Sequence, residues 1–176
     1  VSLLAVPVGA ASVTKFSDVS DSYTATAIET LRLMGVLDGY GDGTFRPDTV
    51  LNRAQFCKMA VYAMDGSGEL GRYSTVTIFP DVKPSHWASA YINMASRKGI
   101  ISGFADGKFK PGQTVTAGQA VTILMRGLGY KDEDMGGVWP QSYMAEAQTN
   151  GLLKSTGITS AYAGVTRAQA AKLFMN

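Results

Sequence analysis

Two arginines stand where a side chain could bind a carboxylate. Arg53 directly follows Asn52, and Arg167 directly follows Thr166. Asparagine and threonine are residue types that begin helices. A guanidinium meets a carboxylate with two parallel hydrogen bonds, and the unpaired N–H groups of a helix start also attract an anion. On spacing alone a second interpretation is equally open, in which both arginines are solvated residues of a first helical turn.

Both arginines belong to a pattern that recurs along the chain. The letters FSDV at 16–19 lead to a glycine-rich turn, GVLDGYGDGTFRP, at 35–47. The letters FPDV at 79–82 lead to a similar turn, GIISGFADGKFKP, at 99–111. Such a repeat sets the architecture, because each copy forms one local structural unit.

A short element follows each turn, and it occurs a third time. The copies are NRAQ at 52–55, TAGQ at 116–119 and TRAQ at 166–169. Upstream of the third copy, 139–151 matches 87–99 in the spacing of tryptophan, tyrosine, alanine and glycine. The pattern predicts three units, 16–65, 79–128 and 137–176, of which the third has lost its glycine-rich turn.

Each unit is predicted to consist of a helix, a glycine turn, a short extended piece and a second helix. The first helices end at Gly35, Gly99 and Gly151, a residue type suited to a left-handed helix cap. In each second helix a glutamine follows the cap residue by three positions, the spacing of a capping box. The fold class is therefore predicted to be all-α. The expected apolar side of the first helix comprises Ala25, Ala27, Ile28, Leu31 and Met34.

The three units are expected to share one core and form one domain. A unit of about 50 residues is marginal on its own. The linkers that open at Gly66 and Gly129 are predicted to be surface loops, with a short extended stretch at 73–78. Residues 1–15 are either the remnant of a signal peptide or an ordered N-terminal arm. No stretch reaches the ~18 apolar residues that would cross a membrane.

Composition excludes several classes of function. The formal net charge is +2, and the 16 Lys and Arg residues are scattered singly. A nucleic-acid-binding surface usually shows a basic run or stripe, so binding of nucleic acid is not expected. Cys57 and His86 are the single cysteine and histidine, which excludes an internal disulfide and a zinc site built from these residue types. No metal or cofactor is expected.

The second unit carries the most specific motifs, and these resemble the S-layer homology family. The family's pattern runs F-x-D-V, then H-W-A, then a helix ending G-I-I-x-G-Y-x-D-G-T-F-x-P, then I-T-R-A-E at the start of a second helix. This chain carries FPDV at 79–82, HWA at 86–88, GIISGF at 99–104 and DGKFKP at 106–111, and 35–47 repeats the turn almost letter for letter. The resemblance covers nearly the whole chain after residue 15.

The resemblance implies both a fold and a function. Three such repeats would form a pseudo-threefold spindle, with the second helices in a central bundle and grooves between the prongs. The family's grooves bind secondary cell-wall polysaccharide, often bearing a pyruvate ketal, and so anchor proteins at the bacterial cell surface. The implied protein is extracellular and non-catalytic. The alternative is a structural assembly unit of a surface layer or filament, which contacts other surface-layer subunits and binds little glycan.

A pyruvate ketal presents a carboxylate on a sugar, which singles out six residues. The candidate ligand-binding residues are Arg53, Arg167, Trp87, Trp139, Gly39 and Gly103. The arginines would meet the carboxylate, and the tryptophans would lie against the C–H face of the sugar, although large aromatic residues more often belong to the core. Backbone amides at the glycines can approach a ligand closely because glycine has no side chain.

Other residues receive simpler interpretations. Ala117 stands where the second unit should carry its arginine, which predicts one or two functional grooves rather than three. Asp18 and Asp81 are predicted to be caps or turn formers rather than ligand-binding residues, and Cys57 to be a structural thiol. The acidic run at 132–134 is predicted to be a solvated loop. No pair of carboxylates suggests a glycosidase.

Overall fold

A computed structural model describes residues 16–64 and 67–176, so the two interpretations of residues 1–15 concern a segment outside the described part. Six α-helices lie in the described part: α1 Ser22–Leu33, α2 Arg53–Ala63, α3 Ser89–Arg97, α4 Ala117–Gly127, α5 Gln141–Thr149 and α6 Arg167–Met175. Two short 3-10 helices, Ser67–Tyr73 and Asp132–Asp134, lie between them. Within these ranges β structure is limited to isolated bridges, which confirms the all-α class.

The local signals for helix ends are confirmed. The Asn52 side chain accepts a hydrogen bond from the Gln55 N–H at 2.8 Å, and the Gln55 side chain accepts one from the Asn52 N–H at 2.9 Å. The same reciprocal box begins α4 and α6. Gly35, Gly99 and Gly151 end the first helices with φ of 72°, 71° and 79°. Glycine is needed there because a side chain disfavours this left-handed conformation.

One predicted core residue is wrong, and the helix cap explains why. Met34 is 58% exposed, whereas Ala27, Ile28 and Leu31 are buried. The left-handed Gly35 turns the chain, and the N–H of Val36 donates to the Leu31 carbonyl at 2.9 Å. Val36 therefore occupies the core position that periodicity assigned to Met34.

The linker predictions are also corrected in part. Residues predicted to begin a surface loop after Gly66 form the 3-10 helix Ser67–Tyr73, which packs against α3. Of the stretch expected to be extended at 73–78, Tyr73 ends the 3-10 helix, 74–75 form a turn, and 76–78 are irregular. The Asn93 side chain of α3 donates to the carbonyls of Tyr73 at 3.0 Å and Val76 at 2.6 Å, and so ties this linker to the helix.

The second helices meet at their N-terminal ends through a closed ring of backbone hydrogen bonds. Leu51 N–H donates to Val165 C=O at 2.9 Å, Val165 N–H donates to Val115 C=O at 3.0 Å, and Val115 N–H donates to Leu51 C=O at 3.0 Å. These residues occupy the same position in each unit, one before the helix cap. Each unit thus donates to one neighbour and accepts from the other.

Helix packing follows the same cyclic order. The first helix of each unit packs against a second helix of a different unit: α1 against α6, α3 against α2, and α5 against α4. The second helices α2 and α4 also pack together, and one continuous cluster of buried apolar residues connects all three units. No described helix has the length and apolar character needed to span a bilayer. The outline of the whole spindle stays a prediction.

Asp18 and Asp81 fix the two glycine-rich turns, as predicted. The Asp18 carboxylate accepts hydrogen bonds from the N–H groups of Phe45 at 2.8 Å and Arg46 at 2.7 Å. Asp81 accepts the equivalent bonds from Phe109 at 2.9 Å and Lys110 at 2.7 Å. The hydrogen bond from Phe45 is the main cause of the lowered pKa of Asp18. Burial acts to raise the pKa of Asp81, but the bonds from Phe109 and Lys110 outweigh it and lower the pKa.

Each turn also packs a glycine beneath the phenylalanine that opens its unit. A Cβ atom on Gly39 would lie 2.0 Å from a ring carbon of Phe16, and one on Gly103 would lie 2.6 Å from a ring carbon of Phe79. Both phenylalanines are buried. Packing alone therefore requires glycine at these two positions.

Gly39→Ala is expected to destabilise the fold by about 1–3 kcal/mol, because the added methyl group overlaps the Phe16 ring and overpacks the core. Gly41→Ala in the same turn is the matched control, since nothing lies within 4 Å of its added Cβ. Urea unfolding measures both free energies. A Gly39→Ala variant as stable as Gly41→Ala would contradict the packing role.

Stability is expected to fall in acid through Asp18 and Asp81. Their folded pKa lies below the ordinary value of 3.8, so their contribution is present above that value and is lost as pH falls through the lowered folded pKa. Unfolding free energies between pH 6 and pH 2 measure this loss. Asp81→Asn should reduce stability near neutral pH and flatten the acid limb, whereas Asp48→Asn, at an exposed position, should leave the profile unchanged. A profile that Asp81→Asn leaves unaltered would refute the assignment.

Candidate functional site

A cleft of about 390 Å³ lies between the second and third units. Its walls come from the glycine-rich turn at 101–104, one side of α4, and the segment that leads into α5. Arg53 of α2 reaches the cleft from the first unit. The structure therefore brings three of the six candidate residues into one cleft: Arg53, Gly103 and Trp139.

Arg53 is held by the turn of the second unit. It is the first residue of α2, and only 5% of its surface is exposed. Its Nε donates to the Phe109 carbonyl at 2.8 Å, and its Nη2 donates to the Ser102 carbonyl at 3.2 Å. The guanidinium carbon lies 4.6 Å and 4.4 Å from the ring centres of Phe104 and Phe109, within cation–π range. Arg53 is not a solvated residue of a helical turn.

The Arg53 guanidinium lacks a counter-ion within the described part of the chain. No carboxylate of residues 16–64 or 67–176 forms an ion pair with it, and its Nη1 donates no hydrogen bond to those residues. Burial is the main influence on its pKa and lowers it, while the charge of Asp81 opposes that shift. An arginine nevertheless stays protonated in a protein. Carbonyls and aromatic rings hold the guanidinium but supply no negative charge, so an anion in the cleft would be stabilised.

Arg167 makes the same contacts with the turn of the first unit. Its Nε donates to the Phe45 carbonyl at 2.8 Å, and its Nη2 donates to the Asp38 carbonyl at 2.7 Å. The ring of Tyr40 lies 5.1 Å from the guanidinium carbon, and burial lowers the Arg167 pKa. Gly39 belongs to this turn. Each arginine thus fastens one unit to another, a role that spacing along the sequence did not reveal.

The helix N–H groups expected to attract an anion are already used. The N–H groups of Arg53 and Ala54 donate to carbonyls of Gln113 and Pro111 at 2.9 Å and 3.0 Å, and the third is taken by the Asn52 side chain. The helices α4 and α6 show the same arrangement. The expectation of free donors at these helix starts is therefore wrong, and the arginine side chains are what remain for a ligand.

The missing arginine of the second unit has a structural reason. Ala117 occupies the position of Arg53 and Arg167, and the turn it would reach belongs to the third unit. That turn is shortened: Pro47 and Pro111 lie 12 residues after the helix-ending glycine, whereas the equivalent Ala161 lies 10 after Gly151. A Cβ on the neighbouring Gly118 would lie 2.6 Å from Pro140, which occupies this space. The arginine and the full-length turn are therefore both missing from this contact between units.

Both candidate tryptophans are half-exposed, so neither is a core residue. Trp139 is 50% exposed, lines the cleft, and donates from Nε1 to the Thr122 hydroxyl at 2.9 Å, which fixes its ring. Trp87 is 56% exposed and stacks on His86, with ring centres 5.7 Å apart. Trp87 does not line the cleft that contains Arg53.

Three cleft residues escaped the sequence analysis. Arg126 of α4 pairs with Asp132 through two short hydrogen bonds, 2.8 Å from Nε and 2.6 Å from Nη2. The Tyr143 hydroxyl donates to the same carboxylate. The Arg126 hydrogen bond is the main cause of the lowered pKa of Asp132, followed by the bond from Tyr143. The acidic run at 132–134 is therefore not merely a solvated loop. In the sequence, only its position next to the third unit indicated that it could contribute to the cleft.

The remaining polar candidates have structural roles. Cys57 is fully buried, and burial raises its pKa to about 12, so it is a structural thiol. His86 accepts a hydrogen bond from the Ala88 N–H at 3.1 Å and supports the start of α3. Asp42 and Asp106 accept hydrogen bonds from their own turns, at the N–H groups of Thr44 and Lys108. Over the described ranges no three His, Cys, Asp or Glu residues group closely enough to hold a metal ion.

Comparison with known proteins adds independent findings. The model of the S-layer homology domain family matches residues 15–57 and 78–121. The chain is 37% identical over 166 residues to a "Cell surface protein" of Thermoanaerobacter kivui, covering 93% of this chain and 21% of that protein. It is 32% identical over 158 residues to the "Middle cell wall protein" of Brevibacillus brevis, covering 89% of this chain and 14% of that protein. It is 32% identical over 115 residues to the "Cellulosome-anchoring protein" of Acetivibrio thermocellus, covering 64% and 26%. The chain therefore spans about a quarter or less of each of these relatives.

Arg53→Lys is expected to lower the free energy of unfolding by about 1–3 kcal/mol. Lysine keeps the positive charge but cannot reproduce the fork that reaches the carbonyls of Phe109 and Ser102. Arg97→Lys, at an exposed position on α3, is the control and should change stability by less than about 0.5 kcal/mol. Urea unfolding compares the two variants. Equal stabilities would show that the Arg53 fork does not fasten the units together.

Proposed function

Residues 15–57 and 78–121 belong to the S-layer homology domain family, and on that premise we propose that the chain is a non-catalytic module that binds an anionic cell-wall polysaccharide and anchors a protein to the wall. The relatives are named as surface, cell-wall and anchoring proteins, and this chain is likewise a cell-surface protein. The acidic group that the cleft would take is a carboxylate, such as that of a pyruvate ketal.

One observation carries this proposal: the unpaired guanidinium of Arg53 at the cleft. Two of its nitrogen atoms are engaged by backbone carbonyls, which hold the group rigid, while Nη1 has no acceptor among the described residues. A fixed cation loses little side-chain freedom when a ligand binds, so the contact contributes more to affinity than a flexible side chain would. A carboxylate at Nη1 would supply the missing negative charge.

The surroundings of Arg53 suit a sugar that carries this carboxylate. Trp139 offers a half-exposed indole whose orientation the Thr122 hydroxyl fixes. Gly103 lines the same cleft. An aromatic plate and a charged group on one cleft are the two elements that an acidic sugar ring needs.

A second site is proposed around Arg167. It has the same contacts as Arg53, and Gly39 and Tyr40 belong to the turn that it fastens. Residues 137–176 are proposed to be a third, degenerate copy of the family repeat, whose groove lacks both the arginine and the full turn. Two weak sites on one chain that face one polymer bind far more tightly than either alone.

The alternative is an assembly unit of a surface layer that binds little glycan. The dual role of the arginines favours it to some degree, because Arg53 and Arg167 fasten units together and would be needed without any ligand. The two functions differ in whether removal of the acidic group from the wall polymer changes binding.

Binding is expected to depend on that acidic group. The chain should sediment with purified wall polysaccharide, and mild acid removal of pyruvate ketals should weaken binding by about 10- to 100-fold, the equivalent of one charge-assisted contact. Arg53→Gln combined with Arg167→Gln should have a similar effect, and Arg97→Gln none. Circular dichroism verifies that each variant is folded. Unchanged binding of the folded double variant would show that the assignment of these two arginines is wrong, whereas a wild-type chain that does not sediment with the polysaccharide would favour the assembly unit.

A further inference from the structure

The cleft contains charged side chains besides Arg53. Three charged side chains line the cleft: Arg53, Arg126 and Asp132. The two arginines converge on one residue, since Arg53 Nη2 donates to the Ser102 carbonyl at 3.2 Å and Arg126 Nη1 donates to the Ser102 hydroxyl at 3.3 Å. Two guanidinium groups this close would together attract a doubly charged anion strongly.

Asp132 forms an ion pair with one of the two arginines, Arg126. Its two oxygen atoms accept hydrogen bonds from Nε and Nη2 of Arg126 at 2.8 Å and 2.6 Å, the bidentate geometry in which a guanidinium meets a carboxylate. The Tyr143 hydroxyl holds the same carboxylate from α5. Arg126 is thereby paired with a carboxylate whose side chain is 65% exposed, and the formal charges of the groups that line the cleft sum to a single positive charge.

We propose that Asp132 is a specificity-determining residue that restricts the cleft to singly charged groups. A monocarboxylate balances the one uncompensated charge on Arg53. A phosphate monoester carries close to two negative charges at neutral pH, and its second charge would meet the Asp132 carboxylate rather than a free Arg126. The inference rests on the proposed anion binding by the cleft and adds the charge of the ligand that it selects.

The equivalent positions on the second helix of the first unit and the first helix of the second unit carry no such ion pair. Tyr62 takes the place of Arg126 on α2, and Tyr91 takes the place of Tyr143 on α3. Their hydroxyl groups lie 3.3 Å apart, and no carboxylate of residues 16–64 or 67–176 is hydrogen-bonded to either. Among the described residues a pair of tyrosines thus takes the place of the ion pair, and the carboxylate bound to an arginine is found at the cleft that contains Arg53.

Calorimetric titration with two probes at pH 7.5 tests the proposal. One probe is a methyl hexopyranoside bearing a 4,6-linked pyruvate ketal, and the other is a methyl hexopyranoside 6-phosphate. Wild-type protein is expected to prefer the pyruvate ketal. Asp132→Asn frees the charge of Arg126, so affinity for the phosphate should rise by about tenfold or more, while affinity for the ketal should change by less than about threefold.

Matched variants separate local charge from other effects. Glu133→Gln removes a charge from the same loop, where Glu133 forms an ion pair with the exposed Lys131, and should leave the preference unchanged. Asp132→Glu should retain the wild-type preference. Arg126→Gln leaves Asp132 unpaired and should lower affinity for the phosphate more than for the ketal, which keeps the proposal testable if Asp132→Asn does not fold.

The outcomes distinguish a failure of the proposed function from a failure of the role proposed for Asp132. If wild-type protein binds neither probe, the proposed function fails and this inference fails with it. If wild-type protein binds the ketal but Asp132→Asn and Arg126→Gln keep its ratio of affinities, only the role of Asp132 is overturned. An equal shift in Glu133→Gln would also overturn that role, because the effect would then be general electrostatics of the loop.

Discussion

The architecture depends on an arginine that reaches from the start of one helix to the turn of another unit. Arg53 and Arg167 each place two guanidinium nitrogens on two backbone carbonyls at opposite ends of a glycine-rich turn. The turn must keep both carbonyls in place, and Asp81 and Asp18 do this from the other side by accepting adjacent N–H groups. Carboxylate, turn and guanidinium therefore form one continuous connection between units.

The binding capacity of the cleft follows from the geometry of this connection. A guanidinium has five N–H donors in a rigid fork, and two carbonyls cannot engage all of them. The carbonyls orient the group without neutralising it, so a positive charge is left at the surface of a cleft that also contains Trp139. Structural fastening and anion binding thus use different edges of one side chain. At the third such contact, between Ala117 of α4 and the third unit, the arginine and the full-length turn are both missing, so neither is left without its partner.

The parts of the fold that sequence could predict are those set by neighbouring residues. Capping boxes and left-handed glycines involve residues within about one helical turn, so their spacing is visible in the chain. The prediction that Met34 belongs to the core is wrong because helical periodicity does not show where a cap residue changes the direction of the chain. The contacts of Arg53 span 49 and 56 residues, and the ion pair of Arg126 with Asp132 depends on a loop folding back over α4. Such partners are chosen by packing between units, which spacing does not record.

The central claim is that Arg53 keeps its structural bonds while its remaining edge binds a carboxylate. A crystal structure of the chain with a pyruvylated wall disaccharide tests this most directly. The account predicts a ligand carboxylate oxygen about 2.8 Å from Arg53 Nη1, with the bonds to the Phe109 and Ser102 carbonyls intact and the sugar ring against Trp139. A ligand bound elsewhere, or an Arg53 side chain drawn away from those carbonyls by the ligand, would contradict it.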